Sequence, residues 1–399
     1  MKALVFRRKP VRFAAAVVAG RLAPGRGAGV GPLSLDDVDV PDLPGPDWVR
    51  VRPRLAGICG SDLATVDGSS SRWFEDIVSF PFVPGHEVVG DTDDGRRVVV
   101  VPILTCAVRG IDPPCSRCAA GRPNHCERVA FGCIEAGLQT GFCASTGGGW
   151  STLLVAHARQ LVEVPEALPD ESAVLVEPMA CAVHAARQVT GAGDVAVIGA
   201  GTLGLLTVAA LRRLAPPAGS LIVTAKHPHQ RRLARELGAD VVAEPARLAG
   251  HVRAATGSWV YGDAELDGGL GTGTPTGRLT GGAAEVVDCV GNEASLTQAL
   301  EVVAPGGTVH VVGMPATTTL DLTPLWYREV ALRGCYAYDP DDFVTAIELV
   351  ADLDLGRLVS ATYPLSRYRD AIAHAAEAGR RGAVKIAFDL RAEKERTRL

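Results

Sequence analysis

Cys59 and His86 offer a thiol and an imidazole from two turns, GICGSD at 57–62 and PGHEVVG at 84–90, each followed by an acidic residue. Zinc accepts cysteine sulfur and histidine nitrogen in a tetrahedron, and a catalytic site keeps one position open for water or substrate. Asp62 and Glu87 are the carboxylates next to these two ligands, and Glu177, in LVEPMACAVHA at 175–185, is a further acidic candidate. One cysteine and one histidine alone point weakly to metal. The neighbouring motifs strengthen the reading.

A second group of thiols follows. Cys115, Cys118 and Cys126 lie in a loop rich in Pro, Gly and Arg, with Cys106 upstream. Four thiolates around one ion form a closed structural zinc site, which stabilises a lobe too small for its own core. The long gap after Cys106 leaves Asp112 as an alternative fourth ligand. Reduced thiols or a disulfide are the competing reading, disfavoured where no secretory segment is seen. Cys133, Cys143, Cys181, Cys289 and Cys335 lack ligand spacing and are expected to be packing residues.

The third motif is VAVIGAGTLGLLTVAAL at 195–211. An apolar run ends in Gly199, Gly201 and Gly204, spaced as GxGxxG, and passes through Thr202 and Leu203 into a helical stretch. Gly199 permits the tight turn, Gly201 lets a pyrophosphate approach the backbone, and Gly204 lets helix pack on strand. The start of the helix then offers free amides and partial positive charge to phosphates.

Together GICGSD, PGHEVVG, the cysteine lobe, LVEPMACAVHA and VIGAGTLG resemble the zinc-dependent medium-chain dehydrogenase/reductase superfamily, in the expected order over nearly the whole chain. The resemblance implies an α/β protein: a GroES-like, β-rich catalytic domain plus a Rossmann domain with a doubly wound parallel sheet, and an active site in the cleft between them. It implies Cys59 and His86 as zinc ligands, Glu87 and Glu177 as acidic ligands that alternate with water, Ser61 as the hydroxyl relaying the substrate proton, and Asp62 as a partner of the ligands. Glu177 in EPxAxxxH looks like the polyol, sugar and threonine dehydrogenase branch. One departure stands out: position 64, a histidine in many polyol and threonine members, is Ala64. A histidine-ended proton relay is thereby in doubt.

Cofactor choice is read from the second nucleotide-binding strand. NAD-dependent relatives place an acid about 20 residues after the glycines, on the ribose 2′-hydroxyl. Here that position is Ala225, followed by Lys226, with His227, Arg231 and Arg232 nearby. The missing carboxylate and the nearby cations favour NADP over NAD. Arg231 is common in NAD-dependent relatives too, so Ala225 and Lys226 carry the argument.

At 399 residues two domains are expected. They are placed at 1–178, with the structural-zinc lobe at about 106–126, and at 179–325, with 326–399 returning to the first. The net charge of −5 provides no basic stripe for nucleic acid, and no apolar run is long enough to span a membrane. The start, MKALVFRRKP, lacks a signal-peptide core. A reduced cytoplasmic enzyme without nucleic-acid or membrane partners is expected, acting on a small alcohol or carbonyl compound, with a homodimer or homotetramer implied by resemblance.

Strands are predicted at 2–6, 48–54, 98–101 and 151–155, with 24–46 as loop or hairpin. The stretch 137–150 reads as an exposed hairpin or a loop over the cleft. The nucleotide half is expected to place strands at 195–198, 221–224, 241–242, 286–289, 308–312 and 330–334. The segment 257–282 reads as a mobile surface insertion, 343–390 as helix, strand, helix and strand, and 391–399 as a frayed tail. His184 is expected to be packed rather than a ligand. Trp73, Phe74, Trp150 and Trp326 are possible pocket walls. Two rival functions remain open: a dehydrogenase of an amino alcohol or biosynthetic intermediate, and a nucleotide-sensing protein without turnover.

Overall fold

The structure is a computed structural model that describes residues 1–261, 278–314 and 316–392. The chain divides into two units, Met1–Glu177 with Asp339–Leu399, and Pro178–Tyr338.

The first unit is built on the strand Trp48–Gly57, which pairs antiparallel with Val88–Thr92, Lys385–Asp389 and Leu154–His157. Its sequence explains its placement. Val51 and Leu55 are fully buried, while Arg52 and Arg54 alternate outward and pair with Asp93 and with Asp91 and Asp170. The pairing brings three distant segments to one end of the sheet: Gly57 lies opposite Ala387, and Gly57 N donates to Glu87 O at 2.9 Å. A core of Leu4, Phe6, Ala56, Phe82, Trp150 and Phe388 lies beside it.

The amino-terminal stretch differs from its sequence reading. Lys2–Phe6 pairs with a strand at Leu33–Asp37, inside the region expected to be loop or hairpin, and a helix at Pro10–Leu22 fills the connection. That helix opens on Pro10 and runs through four alanines, a proline start and a good helix-forming body that the strand pattern on either side obscured.

Two further expectations are corrected. The strand foreseen at 151–155 is Leu154–His157, because the Ser151 hydroxyl donates to Gly148 O and Leu153 O and holds 151–153 in a turn. The stretch 137–150 is not exposed. Its end, 146–150, is buried, with Trp150 fully so, and Trp150 N donates to Pro84 O at 2.9 Å.

The second unit is a six-stranded parallel sheet in the order Val241–Ala243, Leu221–Thr224, Val195–Ile198, Ala283–Asp288, Val303–Val311, Ala331–Gly334. Val195–Ile198 and Leu221–Thr224 are buried throughout, as strands covered on both faces must be. The order reverses between Val195–Ile198 and Ala283–Asp288, the place where open α/β sheets bind ligands. At the opposite end of Ala283–Asp288, buried Glu285 accepts from Thr190 N and Oγ1 and meets His310 Nε2 at 2.7 Å.

The insertion expected at 257–282 is described only at its ends, where Val260–Tyr261 pairs with Arg278–Leu279; 262–277 lie outside the described residues. Of the tail, 393–399 lie outside them as well. Arg391 is not frayed: it donates to Asp389 Oδ2 at 2.7 Å and reaches Asp170 and Glu171.

Candidate active site

Cys59 is the N-cap of the helix Gly60–Val66, and Asp62, three residues on, accepts a hydrogen bond from Cys59 N at 2.9 Å. His86 and Glu87 immediately precede the strand Val88–Thr92. The ligand atoms of Cys59, His86 and Glu87 all lie within 4.8 Å of one another, with His86 and Glu87 buried. The site thus arises where one strand ends, a neighbouring strand begins and a helix starts, all fixed by the register of the sheet.

His86 turns Nδ1 toward Asp62 Oδ1 at 3.5 Å, which leaves Nε2 for a metal. A ligating histidine usually gives its other nitrogen to a carboxylate in this way. Both atoms are buried without a hydrogen bond among the described residues. Burial opposes a charge on His86, yet Asp62, and after it Cys59, outweigh burial and hold its pKa well above the usual imidazole value. Neighbours that favour a proton there favour a metal cation for the same reason. A soft thiolate and an imidazole with adjacent carboxylates in a buried pocket fit zinc.

Sequence reading missed Lys385. It opens the strand Lys385–Asp389, is almost fully buried, pairs with Glu87 Oε2, and donates to Ile58 O at 3.1 Å. Burial works against its charge, but Glu87 overcomes this, with Cys59 and Asp62 adding to it, so its pKa is raised. A Cβ at Gly57 would collide with Glu87 Oε2 and crowd Lys385 Cε. Gly57 is therefore the residue whose missing side chain makes room for the pair.

Ser61 lies half-buried in the first turn of the same helix. Glu177 is buried at the start of the helix Val176–Gln188 and is not a member of the Cys59, His86 and Glu87 group. Of the aromatic residues named as walls, Trp73 and Trp326 are 76% and 78% exposed, and Trp150 is a core residue. Trp150 instead supports the site: its Nε1 donates to Gly57 O at 3.2 Å. Phe142 is the ring beside the ligands, 6.0 Å from His86 and 5.3 Å from Phe82.

In the lobe, the thiols of Cys106, Cys115, Cys118 and Cys126 lie within 4.8 Å of one another. Cys106 completes the group, whereas Asp112 is exposed and outside it. Cys115 N donates to Cys106 Sγ at 3.3 Å and Arg128 N to Cys126 Sγ at 3.4 Å, bonds that suit thiolates. Burial acts to raise the Cys115 pKa, but the amides of Cys118 and Glu127, with the Cys106 and Cys118 side chains, lower it to about 6.

Arg109, also missed, is fully buried at the centre of this lobe. It donates to Leu104 O, Phe131 O, Ile134 O, Glu135 O and Gly137 O, so one side chain ties together a segment with no regular ladder. Among the remaining cysteines, Cys143 packs in the core with Trp48 and Leu104. Burial pushes the Cys289 and Cys335 thiols up to about 12 and about 11. Cys133 is exposed, contrary to its expected packing role.

In the second unit, Gly199 has φ +93° and follows the strand Val195–Ile198. A Cβ at Gly204 would collide with Gly199 O, while one at Gly201 would meet nothing within 4 Å. Thr202 and Leu203 start the helix Thr202–Leu214, whose N-cap is Gly201. Ala225 is buried just beyond Leu221–Thr224, and Lys226 is exposed. Arg231 donates to Ala225 O and Lys226 O at 3.3 and 3.0 Å and pairs with Glu244 at 3.2 Å.

Residues 45–166 match the family model described as alcohol dehydrogenase GroES-like domain, and residues 202–352 match zinc-binding dehydrogenase. Sorbitol dehydrogenase of Arabidopsis thaliana is 27% identical over 378 residues, 91% of this chain and 93% of that protein. Probable D-xylulose reductase A of Aspergillus terreus is 29% identical over 333 residues, 81% of this chain and 85% of that protein. Among solved structures, a candidate zinc-binding dehydrogenase of Sinorhizobium meliloti 1021 bound to NADP superposes with a TM-score of 0.68 at 25% identity. The match covers 90% of this chain and 96% of that one. With the two domain matches, the order of the motifs and the parallel sheet in agreement, the chain belongs to the zinc-dependent medium-chain dehydrogenase/reductase superfamily and is an alcohol dehydrogenase-like oxidoreductase.

Proposed function

We propose that the protein is a zinc-dependent dehydrogenase that moves a hydride between a secondary alcohol of a sugar, polyol or similar polar substrate and NADP(H). The observation that carries this is the buried group of Cys59, His86 and Glu87, with Asp62 behind the ligands and Lys385 on Glu87. Cys59 and His86 hold the metal, with Glu177 in reserve as a third protein ligand. Zinc held there supplies Lewis acidity to the oxygen of the alcohol or carbonyl, and the nicotinamide gives or accepts the hydride. Asp62 orients His86 and fixes the turn that presents Cys59. Glu87, whose carboxylate also answers the charge of Lys385, and Glu177 are the acidic ligands that alternate with water. Ser61, two residues from Cys59, takes the substrate proton. With Ala64 in place of a histidine, the proton goes on through water or the ribose hydroxyls. The Phe142 ring lies beside His86.

Cys106, Cys115, Cys118 and Cys126 are proposed to hold a second, structural zinc ion. Cys115→Ser is then expected to remove that ion and several kcal/mol of stability, at about 2–4 °C of thermal midpoint per kcal/mol, while surviving folded enzyme stays partly active. A stable Cys115→Ser protein with full metal content would contradict this.

The cofactor reading rests on Ala225 and exposed Lys226. Arg231 contributes less, because Glu244 already shares its charge. Charge-assisted hydrogen bonds to a 2′-phosphate contribute about 1.5–3 kcal/mol each, so NADP is expected to be preferred by roughly 10- to 100-fold. Ala225→Asp is expected to reverse the preference. Initial rates of nicotinamide reduction over polyols, aldoses, amino alcohols and simple secondary alcohols, with NADP and NAD side by side, test both substrate class and cofactor. Turnover of a polyol or sugar with NADP supports the reading; equal or better rates with NAD remove the cofactor assignment.

Assembly as a homodimer or homotetramer is supported by the edge strand Ala331–Gly334, exposed along its length, with exposed Leu322, Trp326, Tyr327 and Leu332 nearby in sequence. A second copy pairing with that edge would cover its unpaired backbone.

A further inference from the structure

We propose that the helix Pro10–Leu22 lies on an anionic lipid surface. The sequence PVRFAAAVVAGRL is apolar nearly all round, and a helix of that kind is normally buried all round. This one is buried on one side only. Phe13 packs against the neighbouring core and Ala16 is fully covered. Val11, Val18 and Leu22 are 84%, 61% and 74% exposed. At about 100° per residue these three, with exposed Ala15, form one stripe along the helix. Arg12 and Arg21, both exposed, fall on opposite flanks of it.

Charge identifies the occupant. No Asp or Glu occurs before Asp36, while Lys2, Arg7, Arg8, Lys9, Arg12, Arg21 and Arg26 all do. Arg7 is taken up by Asp36, but Arg8, Lys9, Arg12, Arg21 and Arg26 are exposed. Asp67, the acid beneath the helix, is turned inward, accepting from Gly25 N and Gly27 N at 2.7 and 2.9 Å. A second copy seated on the stripe would set the flanking Arg12 and Arg21 of one copy near those of the other. A lipid surface accepts the convex apolar stripe and lets flanking arginines reach acidic headgroups. No helix among the described residues is long and apolar enough to cross a membrane, and a surface helix needs none.

The test is co-sedimentation of the full chain with phosphatidylcholine vesicles containing phosphatidylglycerol, and with pure phosphatidylcholine vesicles. Binding is expected only to the former, and to weaken with salt. Arg12→Gln with Arg21→Gln is expected to weaken it about thirtyfold. Val11→Asp, Val18→Asp and Leu22→Asp together should abolish it without changing the thermal midpoint, since each side chain is mostly in solvent. Equal binding to both vesicle types, or none to either, overturns the proposal. So does a mass by light scattering that falls in the triple variant of a protein that binds no vesicles, which would give the face to a second copy.

Discussion

Cys59→Ser and His86→Ala are each expected to lower kcat/KM by about 10³-fold or more, since metal polarisation of the reacting oxygen contributes several kcal/mol to the transition state. Folding should suffer far less. His86 and Cys59 sit where a helix and a strand begin, and the sheet register that places them depends on Trp48–Gly57, Val88–Thr92 and Lys385–Asp389 rather than on either side chain. Stopped turnover with a nearly unchanged thermal midpoint is thus the predicted pair of results. A variant at either position with a tenth or more of the parent activity would show that the reaction does not depend on a metal held there.

The second large effect is expected at Lys385. Its ammonium group and the Glu87 carboxylate are both almost fully buried. Removing one member of a buried ion pair leaves the other charge uncompensated, at a cost of about 3–5 kcal/mol. Lys385→Met should lower the thermal midpoint by roughly 6–20 °C, taking about 2–4 °C per kcal/mol. Adding Glu87→Gln to the same chain should restore much of the loss, because the stranded charge is then gone. Thermal melts of the two single variants and the double variant measure this coupling. Additive losses would mean that Glu87 and Lys385 do not depend on each other.

The residues of the candidate site were legible in the sequence because short-range spacing brings them together. Cys59 and Asp62 occupy one turn, His86 and Glu87 adjoin, and Gly199, Gly201 and Gly204 act within a single strand–turn–helix. The strands at Val195–Ile198 and Leu221–Thr224 were equally plain, since both are apolar from end to end. What escaped notice depends on long-range packing. Lys385 meets Ile58 from 327 residues away, through the pairing of Lys385–Asp389 with Trp48–Gly57. Arg109 looked like one more surface arginine until the carbonyls around it were seen to converge. The glycines before Trp150 suggested an exposed hairpin, yet they are there because the backbone runs close against Pro84 and Gly85. The helix at Pro10–Leu22 was hidden by the strand signals around it. Position 57 offers a rule for such cases: a glycine next to a ligand turn is worth testing for a buried neighbour that needs its space.

Zinc content per chain, measured on purified protein by inductively coupled plasma mass spectrometry beside its His86→Ala variant, tests the central claim most directly. The account predicts two zinc ions per chain in the parent, and one in the variant, with the Cys106, Cys115, Cys118 and Cys126 ion retained. A parent chain holding a single ion, or a His86→Ala chain that keeps both, would contradict it.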